Sequence, residues 1–365
     1  MLWSGSFKLF TVGETAVRVH PTFFLLLAWI AVVNWLAAGP AAAVSGVIFV
    51  VILFACVLLH EFGHILAARR FGIRTPDVTL LPIGGVASLE RMPEKPGQEI
   101  AVALAGPAVN LAIAVVLVGI FGAKVVPDHL AGMELTRPSL LDRVAFANVA
   151  LLVFNLIPAF PMDGGRVLRA VLTLPLGYTR ATQVSAVIGQ VLAIGLGFLG
   201  LFGNPLLILV ALFVFLAASS EAGYVEARDI ARGYLASQAM IRTFERLPVS
   251  ATADDVTWLL LSTTQQEFPV VDGGERLKGV VTRPALLEAL KGAGGGHSVL
   301  EFMVEVPTIS EKAGLDRAMA VLQESRAPVV GVIDREGRLV GYINSENIGE
   351  LIMIRSLRRE EPQRA

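Results

Sequence analysis

Residues 58–70 read LLHEFGHILAARR and contain HEFGH, an H-E-x-x-H motif. On a helix, residues four apart share a face, so the imidazoles of His60 and His64 can bind one metal ion. Glu61 follows His60 and can reach a water molecule at that ion without being a ligand. Hydrolysis at zinc needs two such nitrogen ligands and a carboxylate that accepts the proton of the water. The motif therefore predicts a hydrolytic zinc site.

The motif lies inside an apolar run, with FVVILFACVLL before it and ILAA after it. Ionisable side chains at membrane depth are costly, and they usually serve function. The alternative, buried histidines that are hydrogen-bonded within a helix core, is therefore disfavoured.

Composition indicates an integral membrane protein. Of the 365 residues, 54% are hydrophobic and 17% are charged, and the mean hydropathy is +0.66. These values are too apolar for a soluble globular protein. The net charge of -1 argues against nucleic-acid binding. The single cysteine, Cys56, excludes an internal disulfide framework and a cysteine-rich metal site.

The expected fold is a polytopic α-helical membrane protein joined to a soluble α/β domain. A short strand pair is expected in residues 1–20, at the membrane surface. The segment around Gly84 and Gly85 is β-rich and reads as a membrane-associated hairpin. About six transmembrane helices are expected, at the usual length of about 20 residues. Their apolar runs lie at about 21–38, 43–68, 98–122, 142–157, 183–202 and 205–220.

The distribution of lysine and arginine predicts the orientation of the chain in the cell membrane. These residues cluster before the first run, between the second and third, and after the fourth. By the positive-inside rule, both termini and the C-terminal domain are cytoplasmic. The residues counted are Lys8, Arg18, Arg69, Arg70, Arg74, Arg91, Lys95, Arg166, Arg169 and Arg180.

The C-terminal part contains an internal repeat. The segments at about 237–291 and 298–352 each read as helix, strand, turn, strand, helix, which favours a paired module over a solenoid. The predicted domains are the membrane domain 1–221, a helical connector 222–236, the two copies 237–292 and 298–352, and a charged tail 353–365.

A third metal ligand is expected near the end of the fourth run. Asp163 is the only carboxylate between Asp142 and Glu221. Pro158 and Pro161 prevent a continuous helix before it, and non-helical backbone at membrane depth is tolerated where it lines a wet cavity. The alternative is an interfacial loop with a helix-capping aspartate. The ligand position left open by the two histidines favours the metal.

Three of the asparagines in these apolar runs are candidates for a role. Asn155 is close enough in sequence to Asp163 to donate a hydrogen bond to a scissile carbonyl or its oxyanion. Asn110 and Asn148 are interpreted as interhelical hydrogen-bonding residues.

HEFGH, the third-run sequence AGPAVN and NLIPAFPMDGG together resemble the site-2 protease family of intramembrane zinc metalloproteases. The resemblance covers residues 1–221. It implies one zinc per chain, held by His60, His64 and Asp163, with Glu61 as the catalytic base and Asn155 assisting. It also implies a transmembrane or membrane-associated protein substrate, cleaved in regulated intramembrane proteolysis. The family's Asn-Pro reads Asn155-Leu156 here, so the local bend is expected to differ.

The repeat resembles a pair of CBS domains, which commonly bind adenine nucleotides. The corresponding positions here are Thr282 in the first copy and Asn344 and Asn347 in the second, and the usual acidic partner is missing from both. The pair is expected to regulate the enzyme or to form a homodimer.

Two other functions fit parts of the chain. CBS pairs also occur on ion transporters, and intramembrane histidine and carboxylate side chains can form ion paths. A catalytically idle membrane scaffold is the third reading. Glu61 distinguishes a hydrolase from an ion transporter, because a hydrolase needs a carboxylate between the two histidines and a transport site does not.

Overall fold

The computed structural model describes residues 6–82, 84–87, 93, 95–125, 139–293 and 295–360. The chain divides into two units, Met1–Gly223 and Tyr224–Ala365.

Helices make up most of the first unit. Five of the described helices, α1, α2, α3, α6 and α7, are long and apolar enough to cross a membrane. The helices are α1 (Pro21–Ala38), α2 (Pro40–Arg70), α3 (Pro96–Gly119), α4 (Leu140–Asn155), α5 (Asp163–Leu176), α6 (Tyr178–Phe202) and α7 (Leu206–Ala231).

Five of the six expected apolar runs form helices long enough to cross a membrane, and the fourth run forms the shorter helix α4. Helix α4 has only 16 residues, short of the roughly 20 that a typical bilayer requires. It ends at Asn155 because the proline-containing segment that follows cannot continue a helix. Helix α7 continues without a break from the last apolar run through the first ten residues of the helical connector, to Ala231.

Both predicted strand pairs are present, and they join in one four-stranded sheet. Its strands are β1 (Phe7–Val12), β2 (Thr15–Val19), β3 (Asp77–Leu81) and β4 (Gly84–Ala87), in that order. The pairs β1/β2 and β3/β4 are antiparallel hairpins, and β2 and β3 run parallel. Strand β4 is therefore an edge strand, and it packs beside α2.

Helices α2 and α3 approach each other closely. A methyl group built on Gly63 of α2 would lie 2.6 Å from the carbonyl oxygen of Ala105 in α3. Small residues permit such close packing of membrane helices. The position of one helix therefore fixes that of the other.

The second unit contains two copies of one motif, as the repeat predicts. The first sheet has the order β5-β6-β7 and the second β10-β9-β8. In chain order, the first strand of each sheet pairs parallel with the second, and the second pairs antiparallel with the third. The first copy comprises α8 (Ala236–Ala239), β5 (Leu247–Pro248), α9 (Ala253–Ser262), β6 (Glu267–Val271), β7 (Leu277–Thr282) and α10 (Arg283–Ala293). The second comprises α11 (Val299–Phe302), β8 (Thr308–Ser310), α12 (Leu315–Ser325), β9 (Val329–Ile333), β10 (Leu339–Asn344) and α13 (Ser345–Glu360).

The two copies exchange their leading segments. Ala231 and Ala236, which precede the first copy's sheet, pack in the core of the second copy with Leu315. Val299, which precedes the second copy's sheet, packs in the core of the first with Leu247. Neither core is complete within its own repeat, so the two copies require each other.

Candidate metal centre

The two motif histidines lie on one buried face of α2. His60 is 6% exposed and His64 is 4% exposed, and their Nε2 atoms are 3.0 Å apart. The spacing of four residues produces this arrangement. This contact joins two residues of one helix, so the choice between a metal site and buried, hydrogen-bonded histidines depends on what else reaches the two Nε2 atoms.

Asp163 reaches the same spot from another part of the chain. Its Oδ2 lies 3.3 Å from His60 Nε2 and 3.2 Å from His64 Nε2. It is the first residue of α5, and the next two residues are glycines. A methyl group on either glycine would overlap with backbone atoms of residues 156–160. The glycines therefore allow the turn after α4 to fold tightly against α5 and to present Asp163.

The tautomer of His64 determines which of its nitrogens faces this cluster. His64 Nδ1 lies 2.8 Å from the carbonyl oxygen of Val102. A carbonyl only accepts hydrogen bonds, so Nδ1 carries the proton and Nε2 of the neutral ring presents a lone pair. That lone pair faces a carboxylate oxygen and a second imidazole nitrogen. Three electron-rich atoms at one buried point require a proton or a metal ion between them.

Zinc fits this donor set. Among the described residues, His60, His64 and Asp163 form the one group of three or more potential ligands with atoms within 4.8 Å of one another. Ligands about 2.0–2.1 Å from a tetrahedral zinc lie about 3.3 Å from each other. The three observed separations of 3.0–3.3 Å are close to that value. Three protein ligands leave the fourth position free for water or substrate, as in catalytic rather than structural zinc sites.

Helix α3 closes one side of the centre. A methyl group on Gly106 would lie 2.6 Å from His60 Nε2 and would overlap with His64 Nε2. The backbone of α3 therefore packs directly on both rings, and its Val102 carbonyl holds one of them. The small-residue sequence AGPAVN fits this role, which the sequence did not reveal.

Glu61 lies at a cavity of about 310 Å³ that also reaches His60. Gly84 and Gly85 of β4 line the same cavity, and a methyl group on Gly85 would lie 2.9 Å from Glu61 Cγ. The edge strand thus passes directly beside the carboxylate. The arrangement places a carboxylate, an imidazole and the edge strand of the described sheet at one cavity.

Asn110 and Asn148 differ from their sequence interpretation, and Asn155 stays a candidate beside the cavity. Asn155 lines the cavity, and so does Asn110. Both side-chain polar atoms of Asn110 are buried without a partner in the part of the chain that the structure describes, so it makes no interhelical hydrogen bond there. Asn148 donates to the carbonyl of Val144 in its own helix. The sequence did not indicate that Asn110 lines the cavity, because the other lining residues are distant from it in sequence.

A buried ion triad lies in the same unit. Arg169 of α5 is fully buried and contacts Glu99 of α3 at 2.6 Å and Glu221 of α7 at 2.6 Å. Its guanidinium also lies over the rings of Phe160 and Tyr178. The triad ties α3 and α7 to the helix that begins with Asp163.

A second cavity, of about 460 Å³, lies in the C-terminal unit between the two copies. Asn344 and Asn347 line it, and the Asn347 backbone N–H donates to Asn344 Oδ1. Thr282 does not line it, and its hydroxyl accepts from the backbone of Ala285 at 3.4 Å. Two of the three residues assigned to a nucleotide therefore share one cavity.

The lining of this second cavity is acidic. It includes four glutamates and, among the described residues, neither lysine nor arginine. Burial raises the pKa of Glu267 above its ordinary value, and burial beside Glu267 raises the pKa of Tyr342 to about 12. Phe244 and Tyr342 form an edge-to-face pair there, with ring centroids 5.3 Å apart.

Family models match both units. Peptidase family M50 matches residues 48–130 and 124–196. The CBS domain matches residues 236–292 and 299–353.

Individual proteins are similar to this chain as well. A zinc metalloprotease of Methanocaldococcus jannaschii is 30% identical over 360 residues, which cover 97% of this chain and 98% of the relative. The stage IV sporulation protein FB of Bacillus subtilis is 29% identical, over 67% of this chain and 80% of that protein. Among solved structures, the site-2 protease from Methanocaldococcus jannaschii is 34% identical, with a TM-score of 0.45 over 60% of this chain and 95% of that one.

Proposed function

The chain belongs to peptidase family M50, the site-2 protease family of zinc metalloproteases, and we propose that His60, His64 and Asp163 hold its zinc while Glu61 serves as the catalytic base. The observation that carries the proposal is the convergence of His60 Nε2, His64 Nε2 and Asp163 Oδ2. Membership in this family disfavours the transporter and scaffold alternatives.

In the reaction, the residues around the cavity divide the work. Zinc, when bound, supplies the Lewis acid that activates water and polarises the scissile carbonyl. Glu61 accepts the proton of the attacking water and returns it to the leaving amine. Val102 keeps the proton of His64 on Nδ1, so that Nε2 remains a ligand. Asn155 donates to the scissile carbonyl or to its oxyanion.

The substrate is a membrane-embedded or membrane-proximal protein segment that enters in an extended form. A helix hides each peptide bond behind its own hydrogen bonds, so the cleaved segment has to unwind. Strand β4 lies beside Glu61 with no second neighbour among the described strands, and its edge can pair with an extended segment. Of the predicted 78–89 hairpin, residues 83, 88 and 89 lie outside the described residues. A surface-anchoring role is the alternative for this hairpin.

The experiment that tests this function uses the full chain in liposomes. Quenched single-span peptides are incubated with the wild type and with Glu61→Gln, and the products are identified by mass spectrometry. We expect cleavage only by the wild type, with about one zinc per chain in both proteins. Loss of zinc is expected in His60→Ala and Asp163→Ala. Cleavage by Glu61→Gln would overturn the assignment of the base, and zinc retained by Asp163→Ala would overturn that of the third ligand.

Both termini and the CBS pair are proposed to lie in the cytoplasm. The support is a group of exposed arginines at and just after the end of α2, which are Arg69, Arg70 and Arg74. Single cysteines introduced near the C-terminus of a Cys56→Ala chain would test this. They should react with a membrane-impermeant maleimide only after the cells are opened, and labelling of intact cells would contradict the orientation.

The acidic cavity of the CBS pair is proposed to bind the adenosine portion of a regulatory ligand. Its volume suits a nucleoside, and Asn344 and Asn347 offer amide groups to it. Its carboxylates oppose phosphate groups. Calorimetry with the full-length protein should therefore give weaker binding of ATP than of AMP, and of AMP than of adenosine. The opposite order would contradict the charge argument, and no heat with any of the three would remove the ligand.

The CBS pair also offers a surface for homodimerisation. Trp258 and Leu261 on α9 are 68% and 83% exposed, and Leu287 on the adjacent α10 is 48% exposed. Contiguous apolar groups of this kind are typical of protein interfaces. A second copy of the chain is the proposed occupant.

A further inference from the structure

Asn110 has an unusual environment for an amide side chain. It is 0% exposed, and neither Oδ1 nor Nδ2 has a hydrogen-bond partner among the described residues. Burying an amide without partners costs free energy, so the great majority of buried polar groups are paired. The orphaned amide therefore requires a partner that the described residues do not supply.

The position of Asn110 indicates which partner that is. It lies one turn after Gly106, whose backbone packs on the two zinc-ligand histidines. One turn moves it about 6 Å along α3 on the same face. It lines the cavity that also holds Glu61 and the β4 glycines. Asn110 borders this cavity, and a substrate there reaches the buried amide once its side chain turns toward the cavity.

An extended substrate leaves polar groups that β4 cannot reach. Strand pairing satisfies the N–H and C=O groups along one edge of a segment, and the groups on its other edge need separate partners. The neighbouring walls, Leu53, Phe54 and Leu151, carry apolar side chains. The amide of Asn110 offers one acceptor and one NH₂ donor, which match the N–H and C=O of a peptide unit.

We propose that the Asn110 side chain binds the substrate main chain next to the scissile bond, donating to a carbonyl and accepting from an N–H. This inference rests on the proposed function. Asn110 is thus a substrate-binding residue, selective for an unwound segment, because a helical segment has no free main-chain groups to offer. Asn155 keeps its separate role at the scissile carbonyl.

The chain provides a matched control. Asn148 is also an asparagine with 0% exposure. It donates to Val144 within its own helix and does not line the cavity. Asn110→Ala and Asn148→Ala therefore remove the same atoms from buried sites, and only the first site faces substrate.

The test uses a quenched single-span peptide that the wild type cleaves in liposomes, and two versions with an ester in place of one peptide bond on either side of the scissile bond. Asn110→Ala should retain zinc and lose about ten- to hundredfold in kcat/KM, and Asn148→Ala should stay within about twofold of the wild type. One of the two esters should lower the kcat/KM of the wild type by a similar factor and that of Asn110→Ala only slightly. In that variant the substrate N–H that donates to Asn110 is already unpaired, so its removal changes little.

Two results would overturn the proposal. One is equal cleavage by Asn110→Ala and Asn148→Ala, and the other is an ester penalty that is the same in Asn110→Ala and in the wild type. If Asn110→Ala loses zinc, Asn110→Ser is compared in its place. The wild type alone also tests the proposal, because equal kcat/KM for the peptide and for both esters would overturn it. Cleavage by Glu61→Gln would instead contradict the proposed function, so the two failures are distinguishable.

Discussion

Gly106→Ala is the sharpest test of how α3 shapes the metal centre. The added methyl group would lie 2.6 Å from His60 Nε2 and closer still to His64 Nε2. Side-chain Cβ atoms essentially never approach other heavy atoms within 3.0 Å, so the His60 ring would have to move by at least 3.0 − 2.6 = 0.4 Å, and the His64 ring by more.

Neither ring can move freely. His64 is held by the carbonyl of Val102, four residues before Gly106 on the same helix. Helix α2 packs closely on α3 where Gly63 faces the Ala105 carbonyl, so moving the two helices apart would lose that packing. Overpacking of this kind costs about 1–3 kcal/mol, and here that cost falls on the ligand atoms. Since about 1.4 kcal/mol is a factor of ten, we expect zinc affinity to fall about 5- to 150-fold.

The assay is competition for zinc between the purified protein and a chromophoric chelator, with peptide cleavage as a second measurement. Gly119→Ala is the control, because it lies on the same helix and its added methyl group meets nothing within 4 Å. It should bind zinc like the wild type. Wild-type zinc affinity in Gly106→Ala would refute the inference that α3 packs on the ligand rings, and equal losses in both variants would indicate a general effect on α3.

Four further outcomes are expected. Arg169→Met leaves Glu99 buried without its partner and should destabilise the membrane unit by about 3–5 kcal/mol, and Arg169→Met/Glu99→Leu should recover much of that loss in thermal unfolding. Removal of zinc by a chelator should lower the unfolding temperature of the wild type, since ligands that bind only the folded state stabilise it, and His60→Ala should show no such shift. Burial raises the pKa of Glu267 in the folded state above 4.5. Ionisation of Glu267 therefore lowers the free energy of unfolding as the pH rises from 4.5 through that raised pKa. Glu267→Gln should therefore stabilise the CBS unit at neutral pH and match the wild type below about pH 4. Trp258→Asp should convert a detergent-solubilised dimer to a monomer by light scattering, and an unchanged mass would contradict the proposed interface.

The parts of the site that follow from local spacing were predictable from sequence. Residues four apart on a helix share a face whatever surrounds them, so the pairing of His60 and His64 needed only the motif. Asp163 required a second step, elimination of other carboxylates in a long apolar stretch. The turn before it also followed, because two prolines prevent a continuous helix there and a pair of glycines permits close packing of the backbone.

The roles of α3 could not be predicted, because they depend on contacts between residues distant in sequence. The carbonyl of Val102 accepts from His64, 38 residues away, and a backbone carbonyl leaves no trace in a sequence. Gly106 and Asn110 read as ordinary helix-packing residues, since small and amide side chains commonly join membrane helices. Only the packing distinguishes a glycine that admits an imidazole from one that admits another helix.

Arg169 shows how the same limit affects the predicted orientation. In the sequence it counts as one of the positive charges that follow the fourth run. In the structure it is fully buried between Glu99 and Glu221, 70 and 52 residues away. An arginine neutralised by two carboxylates contributes little to a rule that rests on charges in exposed loops. The cytoplasmic assignment therefore depends on the exposed arginines after α2, and the maleimide experiment should be read against their removal rather than against that of Arg169.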